Sequence, residues 1–215
     1  MKSQARGGTR WRRFAVVMVP SVAASAAVGV AIAQGALAAS FSVSGQQFQV
    51  TAKSLHGEGF VQYGAMDQTK KGAQPVAVVG LESATITALC QAVTIPLPFN
   101  AGKVSMTLKA GDGGNSDKDK VQASKLYIDA SDMKANATFH QVDIGVAVDG
   151  TTKGPGPAQP GENGRGSYVP GSFAQQAQSV DFTEVDQKAW ATSAGTFTLP
   201  GLHMGVSMGD AECKN

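Results

Sequence analysis

Beyond residue 40 the chain alternates apolar and polar positions over much of its length. In Lys103 to Ala110, Val104, Met106 and Leu108 fall on one side and Ser105, Thr107 and Lys109 on the other. Val142, Ile144, Val146 and Val148 stand in the same way against Asp143, Gly145, Ala147 and Asp149. Phe197 with Leu199, then Leu202, Met204, Val206 and Met208, repeat the period near the end. A period of two marks strands whose faces meet different surroundings. The runs are rich in Val, Ile, Thr and Phe, and Gly, Asn, Asp and Pro lie between them. The pattern predicts a mainly β domain, either a single sandwich or a curved open antiparallel sheet.

Several segments refine that expectation. Phe41 to Val50 (FSVSGQQFQV) alternates around Gly45, which predicts two short strand pieces joined by a bulge or bend. SATITALCQAV fits strand or helix by period alone, and Thr85, Ile86, Thr87 and Val93 favour the strand. Pro96 and Pro98 predict an edge or an extended crossing there. One short helix is expected at Phe173 to Val180, where Phe173, Ala177 and Val180 have helical spacing after Ser172 as N-cap. VDQKAWA predicts a further turn around Trp190. GDGGNSDKDK, Gly111 to Lys120, reads as a polar hairpin or longer turn, and residues 149–172 as a flexible Gly/Pro-rich linker or lid with no packed core. A weak echo links Phe48 to Gly59 with Leu126 to Ala137, each apolar-x-apolar, then Ala, then a larger apolar residue. Convergence on a β pattern explains it better than duplication does.

The N-terminus changes the charge reading. Lys2, Arg6, Arg10, Arg12 and Arg13 precede Phe14 to Ala33, a run of 20 residues without a charge. That arrangement predicts an export signal, with the basic flank kept in the cytoplasm. Residues 1–38 are then a signal peptide, with Ala36-Leu37-Ala38 as its cleavage site, or a retained N-terminal transmembrane anchor helix. Residues 39–215 form a single exported β-rich domain, extracellular or held at the cytoplasmic membrane. Without the leader, 13 basic residues face 16 acidic ones, so the domain is near −3 where the whole chain is +2. Nucleic acid is therefore not an expected partner.

Two cysteines, Cys90 and Cys213, lie beyond the leader, and in an oxidising compartment they are expected to form one disulfide. Gly205-Val206-Ser207-Met208-Gly209 fits G-x-S-x-G, which makes Ser207 a candidate nucleophile with His203 two residues upstream. A nucleophile elbow needs a sharp strand-to-helix turn and, in that fold's order, a histidine after the serine. The alternation instead puts Ser207 on a straight strand, and no histidine follows it. No catalytic set is therefore expected. His56, His140 and His203 show no zinc spacing. Asp112, Asn115, Asp117 and Asp119 lack the glycine and glutamate of a calcium loop, so neither metal nor cofactor is expected.

The leader running into LAASFSVSG, then GLESATITALCQAV, KLYIDASDM with ATFHQVDIG, and WATSAGTFTLPGLHMGV before the last cysteine together resemble a family of uncharacterised exported or membrane-anchored actinobacterial proteins. That family is built on a domain of unknown function, and its members often carry the label "cholesterol esterase". The resemblance implies an envelope location and supplies no catalytic residues. The expected function is a non-enzymatic envelope protein that binds a lipid or other hydrophobic ligand, or a membrane-associated partner, on its sheet. A lipid or sterol ester hydrolase using Ser207, and a structural or assembly protein of the cell surface, are the alternatives.

Overall fold

Strand propensity and period two are realised almost throughout the computed structural model, which describes residues 45–69, 72–112, 114, 116–157 and 168–213. Among these, nine strands form one antiparallel sheet. β1 (Phe48–Thr69) and β2 (Gly72–Thr87) make a long hairpin, with Phe60 opposite Leu81. β3 (Leu89–Pro96) continues β2 beyond a kink at Ala88, whose φ is 52°. The register on β1 is kept across the kink, from Ser54↔Thr87 to Thr51↔Cys90. β4 (Lys103–Ala110) pairs with β3, and β5 (Val121–His140) returns to pair with β2. β6 (Asp143–Ala147), β7 (Phe173–Ser193), β8 (Thr196–Thr198) and β9 (His203–Met208) complete the set.

The sheet curves until it meets itself. β1 pairs with β2, β2 with β5, β5 with β7, and β7 again with β1, where Ala52 faces Val185. These four long strands enclose a small barrel, and β3, β4 and β9 leave it as an open extension. Of the two expected architectures the curved sheet is the one formed, and it closes over its longest strands. Shifts of register between β5 and β7 supply the irregularity that such tight curvature requires.

The barrel core contains Leu55, Leu81, Leu126, Val180 and Val185. Phe60 stacks within it against Phe139 at 5.2 Å and Phe182 at 6.2 Å between ring centres. At Gly59, φ 62°, the alternation of β1 inverts, so Phe60 points inward and Val61, Tyr63 and Ala65 point to a second cluster on the other face. An added Cβ at Gly59 would lie 2.9 Å from Glu82 Cβ as well as in a strained conformation.

The expected helix at Phe173 to Val180 is instead the start of β7, and the turn around Trp190 is its end. Gln and Ala give this segment a helical preference, but pairing with β5, β6 and β1 overrides it. Gln176 is part of the reason. It is buried, its Oε1 accepts from the backbone N–H of Thr152 (2.7 Å) and Lys153 (3.0 Å), and its Nε2 donates to Asp143.

The same bonds revise the reading of residues 149–172 as an unpacked linker. Its described ends pack on the barrel, where Gly154 lies so close to Phe60 and Val61 that a Cβ would meet backbone at 2.9 Å, and Tyr168 stacks on Tyr63 at 5.8 Å. Residues 158–167, the leader at 1–38 and the piece at Phe41 to Ser44 lie outside the described residues. Within Gly111 to Lys120, Asp117–Asp119 form a short 3-10 segment capped by Ser116, while Gly113 and Asn115 lie outside the described residues. The two echoing segments lie in β1 and β5, which are both flanked by β2 and β7.

After β9 the chain folds back as a strap. Ser105 Oγ donates to Gly209 O at 2.6 Å and accepts from Ala211 N at 3.0 Å, and Cys213 N donates to Gln49 Oε1. The Cys90 and Cys213 sulfurs are at bonding distance, 2.00 Å, closing a loop with a sequence separation of 123. Cross-linking so long a loop is worth about 5 kcal/mol on the chain-entropy model. Cys213→Ser is expected to lower unfolding free energy by roughly that amount or less, measured by urea denaturation. Reductant should destabilise the wild type and leave the variant unaffected; equal sensitivity of the two would contradict the assignment.

Candidate functional site

The open extension has two unlike faces because each of its strands alternates. Cross-strand register aligns Phe48, Val93, Met106 and Val206 in one row, Val50, Gln91, Leu108 and Met204 in a second, and Ile95, Val104 and Met208 in a third. Phe48, Val50 and Leu108 abut the barrel core, so this is the core face of the sheet carried outward beyond the barrel. Toward β9 it emerges into solvent: Met204 is 64%, Val206 70% and Met208 69% exposed. At the β3–β4 turn the fully exposed Phe99 is held at φ 58°. Single exposed apolar residues are ordinary, whereas a contiguous set on one rigid face marks an interaction surface. Methionine suits such a surface because its unbranched side chain adapts to irregular partners.

The barrel itself offers little room. Its mouth, lined by Val50, Leu55, Leu126, Ile128, Val185 and Phe197, encloses a cavity of about 40 Å³, space for a few water molecules at most.

Ser207 and His203 occupy β9, on the side opposite the methionines. Ser207 faces Ser105 and His203 faces Lys109 across the ladder. The strand is extended through Ser207 and is followed by the strap rather than a helix. Among the described residues neither side chain makes a hydrogen bond, and no carboxylate braces the His203 ring. The geometry brings together Cys90 and Cys213 from the sequence candidates, and the described residues place no hydrogen-bond partner on Ser207. No group of three or more His, Cys, Asp and Glu able to hold a metal occurs among the described residues, and no helix among them is long and apolar enough to cross a membrane.

One polar cluster joins residues far apart in sequence. Asp181 on β7 receives His56 of β1 at 2.7 Å (Nδ1 to Oδ1) and His140 of β5 at 3.0 Å (Nε2 to Oδ2). The second nitrogen of His56 lies 3.2 Å from Glu58. Only an imidazolium can donate from both nitrogens at once. The hydrogen bond to Asp181 thus raises the His56 pKa above the ordinary 6.5, against a smaller opposing effect of burial. The same contact, followed by that from His140, holds the Asp181 carboxyl below its ordinary 3.8. Spacing gave no sign of this cluster, because strand register alone brings the three together.

The signs of these shifts define a pH window. His56 contributes stability that is complete below 6.5 and is lost as pH rises through its elevated value. Asp181 contributes stability present above 3.8 and lost as pH falls through its depressed value. Both act together between about pH 4 and 6.5. The urea midpoint of the wild type is expected to be higher near pH 5.5 than near pH 8, and His56→Gln should shrink that difference. An undiminished difference would contradict the role given to His56.

Comparison with known proteins gives a family without an assigned activity. No curated protein and no solved structure matches the chain. A family pattern described as a family of unknown function (DUF6230) matches residues 44–214, which include every described strand. The chain belongs to that family, DUF6230.

Proposed function

We propose that this is a non-enzymatic protein of the cell envelope that binds a lipid through its acyl chain on the open apolar face of β3, β4 and β9. The observation that carries the reading is the exposure of Met204, Val206 and Met208 on a face continuous with the barrel core. A sheet built to remain solvated places polar residues on its outer face. Here the strap and the disulfide occupy part of the outer face of the extension, and among the described residues nothing covers the apolar face toward β9.

The envelope location is supported by the sequence. A basic segment followed by 20 uncharged residues has the form of an export signal or anchor. The resemblance to exported actinobacterial proteins agrees with it. Cys90 and Cys213, placed for a disulfide, suit an oxidising compartment.

Binding of a fluorescent fatty acid, followed by its emission on titration, tests the reading. Val206→Lys and Met208→Lys replace exposed side chains, so each is expected to leave the thermal midpoint nearly unchanged and to weaken binding roughly tenfold or more. Wild-type protein that does not bind the probe, or variants that bind it equally well, would remove the reading. The ester-hydrolase reading has a separate test. Turnover of a chromogenic ester by the purified chain is expected to stay at background and to be the same in Ser207→Ala. Activity lost in that variant would replace binding with hydrolysis.

A further inference from the structure

The opposite face of the same extension holds a groove of about 430 Å³ that the apolar reading does not use. Thr51, Cys90, Lys109 and His203 form one transverse row on that face, from β1 through β3 and β4 to β9. Lys53 follows on β1, between Ala52, which pairs with Val185, and Ser54, which pairs with Thr87. The groove is lined by Thr51, Lys53, Ala88, Lys109, Asp112 and Glu184, together with Leu89 and Cys90. The disulfide ties the end of the strap to its rim.

Three observations set this groove apart from ordinary solvated surface. Thr51 is 2% exposed, and among the described residues its Oγ1 has no hydrogen-bond partner although it lines the groove. A buried hydroxyl left without a partner costs about 1–3 kcal/mol; Thr51 Oγ1 is closed to solvent, so a ligand relieves that penalty only with a small shift of the side chains around it. Secondly, Ala88 and Glu184 are both non-glycine residues in the left-handed region, at φ 52° and 53°, and both line the groove. Each costs about 1–2 kcal/mol of backbone strain, and strain of this kind gathers at ligand sites. Thirdly, Lys53 and Lys109 have no ion-pair partner among the described residues.

The lining chemistry indicates what fits. Two ammonium groups and the Thr51 hydroxyl can donate to an oxyanion, and ammonium groups are good point-charge partners for phosphate. The carboxylates of Asp112 and Glu184 require donors in return, of which Asn136 Nδ2 supplies one to Glu184 at 2.9 Å. A bare oxyanion would engage neither carboxylate and would leave much of the volume to water. The geometry points to a binding site for a phosphorylated polyol, with its phosphate between Lys53, Lys109 and Thr51 and its hydroxyls toward Asp112 and Glu184. It is separate from the acyl-chain face and stands whether or not that face binds lipid.

Calorimetric titration of the full chain with glucose 6-phosphate, inorganic phosphate and glucose tests the site. Glucose 6-phosphate is expected to bind at least about tenfold more tightly than either fragment, since only it engages both sets of groups. Lys109→Gln should weaken that binding roughly tenfold. Thr51→Val should weaken binding without lowering the thermal midpoint of the unliganded protein, because the hydroxyl it removes has no partner in the fold. Vesicles containing phosphatidylinositol present the same two chemistries, an anionic phosphate (here a diester) joined to a polyol, as a lipid head group. A response to free glucose 6-phosphate assigns a soluble ligand, and one confined to those vesicles and lost in Lys109→Gln assigns a head group; either supports the site. Absence of binding by every probe, or binding that survives Lys109→Gln and Thr51→Val unchanged, would overturn it.

Discussion

The structure depends on the hydrogen bonding of β1 along both of its edges. A strand buried in a sheet must pair its backbone groups on each side, since an unpaired amide in the interior costs as much as a lost hydrogen bond. β1 meets this requirement with β2 and β3 on one side and β7 on the other. Its pairing with β7 turns a curved sheet into a closed barrel. Closure removes the free edge of β1 over Phe48–Ala52, which protects that stretch from pairing with other chains. The cavity at the barrel mouth is too small for a lipid chain, and both proposed sites lie outside it.

The kink at Ala88 then decides where the two proposed sites fall. It lets one long strand serve the barrel as β2 and leave it as β3 while the register on β1 is preserved. Beyond that point, among the described residues, no second layer covers the core face of the sheet toward β9. The strap, fastened by Ser105, Gln49 and the Cys90–Cys213 pair, occupies part of the other face. The extension is thereby held rigid from one side, with its apolar face free. The strained turn that makes the extension possible also opens the polar groove beside Thr51.

Much of this was legible in the sequence because period two survives folding. The alternation of Val104, Met106 and Leu108, and of Met204, Val206 and Met208, placed β4 and β9 and kept Ser207 on a straight strand. Cys90 and Cys213 could be paired because there were only two. The helix expected at Phe173 to Val180 failed for a specific reason: Ala and Gln carry helical propensity, and nothing local shows that Gln176 is committed to the backbone of Thr152 and Lys153. Barrel closure, the meeting of His56, His140 and Asp181, and the exposure of an apolar face are all set by register between distant strands. A pattern along one strand reports that a face is apolar and does not report whether another layer covers it.

The most direct measurement of the central claim is amide hydrogen exchange, residue by residue, with and without a bound fatty acid. The account predicts that protection rises in β4 and β9, at Met106, Met204 and Val206, while the amides of Leu81, Leu126 and Val185 inside the barrel stay unchanged. Protection gained in the barrel with none at β9 would contradict it.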